Sequence, residues 1–293
     1  MQIVTLLANP DRANLSRTGV DTLRRAWGGG EVRWLDPGIA VEFPLESVPS
    51  DFRARWQELQ DQGFDLNILP AEGRRKKVLL ADMDSTMIGQ ECVDELAAEA
   101  GVGPRVAEIT ARAMNGELDF EGALRERVAL LAGLPAEVIH KVLAERITFT
   151  PGGRKLIGTM KTQGGYTVLV SGGFTAFSEA VATYLGFDEN RANVLLVEDG
   201  KLSGKVAEPI LGRAAKVAAL EATCARLGVA EDQVIAVGDG ANDLDMLHRA
   251  GCGVALHAKP TVAAQCEVRV NHGDLTALLY LQGYGRDEIV AAP

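Results

Sequence analysis

The chain has 293 residues and 40 Asp and Glu against 30 Lys and Arg, a net charge of −10, so it lacks the basic surface with which proteins grip nucleic acid or anionic membranes irrespective of sequence. Hydrophobic residues at 47% and charged ones at 24% are the proportions of a folded globular protein, and the length suits about two domains. No apolar run approaches the ~20 residues that span a bilayer, and the opening MQIVTLLANPD has no basic start and meets Asp11 too early for a secretion signal. Cys92, Cys224, Cys252 and Cys266 form no C-x-x-C pair, and His140, His248, His257 and His272 show no zinc-type spacing. The expectation is a soluble, reduced, cytoplasmic protein with no nucleic-acid or membrane partner.

From the first residue, apolar patterning predicts a strand at 2–8, a helix at 15–26, strands at 31–35 and 39–43, a helix at 51–62 and a strand at 64–69. This βαββαβ order is that of an α+β ferredoxin-like unit, with WGGGE and DPG supplying turns. The stretch PAEGRRKK at 70–77 has no apolar periodicity and reads as a linker whose basic residues face water, which places a leading domain at 1–73 and a second at 74–293. Beyond it, short apolar runs at 77–81, 166–171, 234–239 and 252–256 each end near Gly, Asp or Ser, as buried parallel strands do. Helical patterns at 175–185, 213–227 and 242–249 alternate with them, so the second domain is expected to be α/β, a doubly wound parallel sheet with its functional residues at the carboxyl ends of strands. Residues 88–150 have helical apolar spacing throughout and read as a helical cap inserted into that core.

The chemistry-bearing residues fall at those strand ends. Asp82 and Asp84 close the first core strand in DMDST, and two residues along an extended chain brings both carboxylates to one side, which calls for a cation nearby. VIAVGDGAND adds Asp239, Asn242 and Asp243, and carboxylates gathered from two strand ends suit a hard cation such as Mg²⁺. Ser171, Gly172 and Gly173 end another strand, where small residues let backbone N–H groups approach an anion. Lys216 sits in the amphipathic helix RAAKVAAL. Singly, each is an ordinary feature: an Asp turn, a helix cap, a glycine turn, a surface lysine.

In order, D-x-D-S-T, S-G-G, a helical lysine and G-D-G-A-N-D resemble the four-motif pattern of the haloacid-dehalogenase-like phosphotransferases. More narrowly, DMDSTMIGQECVDELA, NGELDFEGALRERVALLAGL, VLVSGGFTAF and AVGDGANDLDML are similar to the phosphoserine phosphatase branch, over about 75–270. The resemblance implies a phosphomonoester hydrolase in which Asp82 is the nucleophile and Asp84 the general acid and base. Mg²⁺ would be held by Asp82, the Asp84 backbone carbonyl and Asp239, with Asp243 behind them. Ser171, Gly172, Lys216 and Asn242 would bind phosphate, while Glu91 would take the substrate ammonium and Arg127 its carboxylate, Arg125 facing elsewhere. Met114 and Phe120 match apolar lid contacts. Thr86 is read as a turn cap, Cys92 as a small buried hydrophobe, and Lys259 is given no role. The leading unit resembles a degenerate ACT-type module, through which the family implies a possible homodimer. Two alternatives stand beside hydrolysis of phosphoserine in serine biosynthesis: transfer of the phosphoryl group to another alcohol such as homoserine, and an amino-acid-binding regulatory protein with vestigial catalysis.

Overall fold

The computed structural model describes residues 1–114 and 117–291; Asn115 and Gly116 of the NGELDF stretch lie outside them. The chain begins β1 (Gln2–Ala8), α1 (Arg17–Ala26), β2 (Arg33–Asp36), β3 (Ala40–Leu45), α2 (Phe52–Asp61) and β4 (Phe64–Pro70). The four strands form an antiparallel sheet in the order β2-β3-β1-β4, with β1 paired to β3 and β4. Alternation along β1 turns Val4, Leu6 and Ala8 toward Val20 and Leu23 of α1, while Leu7 joins the core of the rest of the molecule. The first helix starts two residues later than its apolar pattern suggests, because the Ser16 hydroxyl accepts the Gly19 N–H at 3.1 Å and caps it.

After residue 77 come β5 (Val78–Ala81), then four helices in succession: α3 (Cys92–Glu99), α4 (Gly103–Met114), α5 (Phe120–Ala129) and α6 (Val138–Glu145). The core resumes with α7 (Gly153–Thr162), β6 (Tyr166–Phe174), α8 (Thr175–Leu185) and β7 (Glu189–Asn193), followed by a hairpin of β8 (Leu195–Glu198) and β9 (Lys201–Val206). It ends with α9 (Arg213–Leu227), β10 (Val234–Gly238), α10 (Leu244–Arg249), β11 (Cys252–Leu256), α11 (Pro260–Ala263), β12 (Val268–Val270) and α12 (Ala277–Leu281). Six parallel strands lie in the order β12-β11-β10-β5-β6-β7. Alternate residues bury both faces: Leu79, Leu169, Ile235 and Val254 on one, Leu80, Val168, Ala236 and Ala255 on the other against α9 and α10. Strand order reverses between β5 and β10, so Asp82 and Asp239 emerge side by side at the topological switch point, where open α/β sheets bind their ligands.

Sequence patterning missed β7, the hairpin and β12. Polar ENRAN carries no apolar alternation, and most of β8 is exposed. The hairpin packs on the segment between α5 and α6, with backbone bonds joining Gly133 N to Leu202 O and Leu202 N to Leu134 O, both at 2.8 Å. The basic run after β4 is only partly solvated: Arg75 and Lys77 are exposed, but the other two are held by distant partners. Arg74 is largely buried, bonding Glu42 at 2.7 Å and Leu281 O at 3.0 Å, while Lys76 Nζ donates to Asp232 O at 2.7 Å.

The two sheets are further joined through β4. Buried Asp65 accepts the backbone N–H groups of Asn271, His272 and Gly273 at 2.8, 2.9 and 2.8 Å. Replacing Asp65 by alanine strands three donors, and urea unfolding should show a loss of about 3 kcal/mol; an unchanged midpoint would refute this clasp.

Candidate active site

Past β5 the Asp82 N–H still bonds Val237 O at 3.0 Å, but the chain then turns: the N–H groups of Thr86, Met87 and Ile88 converge on Met83 O at 3.3, 2.9 and 3.1 Å, and Ser85 takes φ +55°. A turn anchored by buried Met83, not the extended strand that their spacing suggests, therefore separates the two aspartates: Asp82 joins Asp239 and Asp243, and Asp84 does not. The turn sends the Ser85 hydroxyl to Glu91 Oε1 at 2.8 Å, at the start of α3.

Opposite, the loop after β10 wraps around Asp243, whose Oδ2 accepts the N–H groups of Asp239 and Gly240 at 3.1 and 2.9 Å. A Cβ at 238 would collide with the Asp243 carboxyl carbon, so any residue but glycine there must displace that side chain. Lys216, 1% exposed, reaches from α9 to place Nζ 2.6 Å from Asp82 Oδ1 and 2.5 Å from Asp243 Oδ1. A helical lysine at this spacing reads as a surface residue, yet its whole side chain is inside. Both oxygens of Asp243 are thus occupied by protein donors, whereas the Asp239 carboxylate receives only the Thr86 hydroxyl, at 3.3 Å, among the described residues.

Oxygens of Asp82, Asp239 and Asp243 lie within 4.8 Å of one another, three buried carboxylates against one ammonium. Burial and Asp243 push the Asp82 carboxyl well above its ordinary range despite Lys216. Burial and Asp243 likewise push Asp239 up to about 6, opposed by Lys259. Burial would lower the Lys216 pKa, but Asp82 and Asp243 outweigh it and keep the amine charged. An all-oxygen site with surplus negative charge is what a hard divalent cation requires.

Asp84 stands apart from that cluster. Burial first, then Glu91, push its carboxyl up to about 7, against a hydrogen bond from the Cys92 thiol to Oδ1 at 3.0 Å. Cys92 is thus a donor to Asp84 and not merely an apolar filler, and Thr86 is a donor to Asp239 and not only a cap. Lys259 likewise meets the site, its N–H 3.3 Å from the Asp239 carbonyl. Single residue types carry no signal for such contacts; only adjacency to D-x-D-S-T and G-Q-E hints at Thr86 and Cys92.

The Ser171 hydroxyl accepts the Gly173 N–H at 2.8 Å, and a Cβ on Gly173 would lie 2.9 Å from Asp84 Oδ2, which ties this turn to the second aspartate. Phe120, opening α5, lies across Gly172 and Gly212, where Cβ atoms would approach its ring to 2.9 and 3.1 Å. Half-buried Arg127 bonds Ala123 O at 3.2 Å; burial lowers its pKa while Asp94, Glu91 and Asp84 raise it, so the guanidinium faces acids on α3 and the turn. Arg125 is exposed and paired with Glu121 at 3.0 Å and Glu208 at 2.8 Å. Asn242 folds over Gly240, whose missing Cβ leaves room for its Oδ1. The side chain of Met114 lies outside the described residues.

The model of the haloacid dehalogenase-like hydrolases matches residues 79–248, and the chain belongs to that family. Within it, the chain is 45% identical over 260 residues to the phosphoserine phosphatase of Streptomyces coelicolor, covering 87% of its own length but only 63% of that protein's. A HAD family hydrolase of Salmonella enterica serovar Typhi superposes over 96% of the chain and 98% of its own with a TM-score of 0.85 at 31% identity. A phosphoserine phosphatase solved as a phospho-aspartyl intermediate analogue matches 70% of the chain and 98% of its own at 41% identity and a TM-score of 0.65.

Two outcomes follow from this geometry. Gly238→Ala should displace the Asp243 carboxylate from its amides and lower kcat at least 100-fold, on the scale of a misplaced catalytic group, with far-UV circular dichroism unchanged; wild-type kcat would show the loop tolerates a Cβ. The raised carboxyls also make stability depend on pH. With folded pKa values of about 7 for Asp84 and about 6 for Asp239, the folded chain holds protons that the unfolded chain releases. Chelator-treated protein should therefore gain about 2 kcal/mol between pH 8 and pH 6, and the stabilisation by an added divalent cation should shrink over the same interval. Stability that falls toward pH 6 without cation would contradict the burial of these two groups.

Proposed function

We infer that the chain is a Mg²⁺-dependent phosphatase that hydrolyses O-phospho-L-serine to L-serine and phosphate, the closing step of serine synthesis. What supports it is one juxtaposition: a buried Asp82–Lys216–Asp243 cluster beside Asp239, with a guanidinium and carboxylate, Arg127 and Glu91, close enough for their charges to act on one another. The cluster suits a phosphoryl group and the pair suits the carboxylate and ammonium of an amino acid.

An Asp82 carboxylate oxygen attacks phosphorus opposite the seryl oxygen; the new O–P bond forms as the old one breaks, giving an aspartyl-phosphate. Asp84 gives its proton to the departing seryl oxygen, then as carboxylate takes one from the water that attacks the same phosphorus and frees Asp82. A pKa of about 7 suits a group that must both give and accept near neutrality. Ser171, the Gly172 N–H, Lys216 and Asn242 hold the phosphoryl oxygens. Asp82, the Asp84 carbonyl and Asp239 would hold Mg²⁺, with Asp243 orienting the loop, and the bound cation would offset charge on the nucleophile and phosphoryl group.

In this reading residues 74–293 are the phosphatase domain, with the cap at about 88–150, and residues 1–73 are an ACT-like module; the β2-β3-β1-β4 order of the leading sheet supports the latter. Four buried, unpaired cysteines suit a reducing, cytoplasmic setting.

Asp82→Asn should abolish turnover and covalent capture of phosphate; full activity would end the mechanism. Arg127→Ala should lower kcat/KM for phosphoserine at least tenfold more than for p-nitrophenyl phosphate, as loss of a paired carboxylate contact does, and equal losses would remove Arg127 from recognition. Product analysis with homoserine present separates hydrolysis from transfer.

A further inference from the structure

We propose that Asn193 is a positioning residue that locks the two halves of the phosphate cradle together, an inference that rests on the cradle assigned under the proposed function. Asn193 ends β7 and is 2% exposed. Its amide nitrogen donates to Gly172 O at 2.9 Å and to Leu211 O at 3.1 Å, and its amide oxygen accepts the Leu211 N–H at 2.7 Å. Two donors and an acceptor are all used, so no other residue of this size fits the same three groups.

Each bond bears on a different part of the cradle. Holding the Gly172 carbonyl fixes the plane of the Gly172–Gly173 peptide, whose N–H donates to Ser171 Oγ at 2.8 Å. With its lone pair engaged there, the Ser171 hydroxyl has its own proton to offer an anion. Holding both polar groups of Leu211 fixes the residue before Gly212, the N-cap of α9, and Lys216 sits on the first turns of that helix. Asn193 therefore sets the separation between the Ser171 turn and the Lys216 helix, the span that a phosphoryl group must bridge. Aspartate in its place would keep the acceptor but turn an oxygen toward two carbonyls; alanine would leave all three groups unpaired.

The test compares Asn193→Asp and Asn193→Ala with the wild type, each held well below its unfolding midpoint. Inorganic phosphate and L-serine serve as separate probes of inhibition, and p-nitrophenyl phosphate as a substrate lacking the amino-acid groups. The inhibition constant for phosphate should rise about tenfold and kcat fall 10- to 100-fold on both phosphoserine and p-nitrophenyl phosphate, in keeping with a cradle misplaced by less than an ångström. The L-serine inhibition constant should stay within about twofold, because no hydrogen bond among the described residues joins Glu91 or Arg127 to Asn193. Unchanged phosphate inhibition in a folded variant, or an equal loss for L-serine, would overturn the proposal, and failure of both variants to fold would assign Asn193 to the fold instead. If wild-type protein cleaved p-nitrophenyl phosphate but not phosphoserine, the phosphoserine reading would fail while phosphate inhibition still decided the role of Asn193.

Discussion

Everything at the end of the parallel sheet is arranged around a charge imbalance: Asp82, Asp239 and Asp243 converge in a buried space with Lys216 as the ammonium between two of them. Carboxylates this close and this dry repel one another and lose hydration, so the arrangement persists only where the fold over-determines it. The determinants are identifiable. Parallel pairing of β5 with β10 sets Asp82 beside Asp239, glycine at 238 lets the Asp243 carboxylate reach backbone amides, and α9 brings Lys216 in along its full length. The remaining imbalance favours a divalent cation and, beyond it, an anionic ligand whose charge the cation and lysine share. An overall charge of −10 is no obstacle, because screening over ~8–10 Å leaves a recessed site to its local charges.

The second aspartate shows how one motif yields two environments. Asp82 is tied to an ammonium, while Asp84, two residues on, faces Glu91, the Cys92 thiol and the edge of Gly173. A turn closed on Met83 O separates them, and Ser85 pays for that turn with a left-handed backbone. An extended D-x-D would have presented both carboxylates to the same cation. The turn instead leaves Asp82 beside Lys216 and the other carboxylates, and gives Asp84 a pKa of about 7.

Sequence patterning made the apolar strands and the order of motifs legible because both are local: a buried strand writes its own hydrophobicity, and D-x-D-S-T or G-D-G-A-N-D needs only neighbouring residues. It was blind where function is decided by distant partners. By its spacing Lys216 looks like any amphipathic-helix lysine, and only its place in the order of motifs marks it out before Asp82 and Asp243 are seen at its tip. Asn193 lies in a polar strand with no periodicity, yet it joins Gly172 to Leu211. The basic run 74–76 looked solvated because its partners, Glu42, Leu281 and Asp232, are 32 to 207 residues away in sequence.

The leading βαββαβ unit is built into the same scaffold. In the main sheet β12 is an edge strand, and an uncovered edge presents unpaired N–H and C=O groups. Asn67 of β4 answers this with its side chain, donating to Arg269 O and accepting the Arg269 N–H, both at 3.0 Å, in place of a seventh strand. Asp65, two residues earlier and on the same face, takes the next free N–H groups at 271–273. Gly273 in turn offers its carbonyl to His257 Nε2 at 2.7 Å, and two residues beyond His257 the Lys259 N–H meets the Asp239 carbonyl at 3.3 Å. Side-chain amide and carboxylate, unlike a paired strand, can satisfy this edge without continuing the sheet. The leading unit thereby covers the end of the sheet and is linked, through Gly273 and His257, to the loop that carries Lys259 beside Asp239.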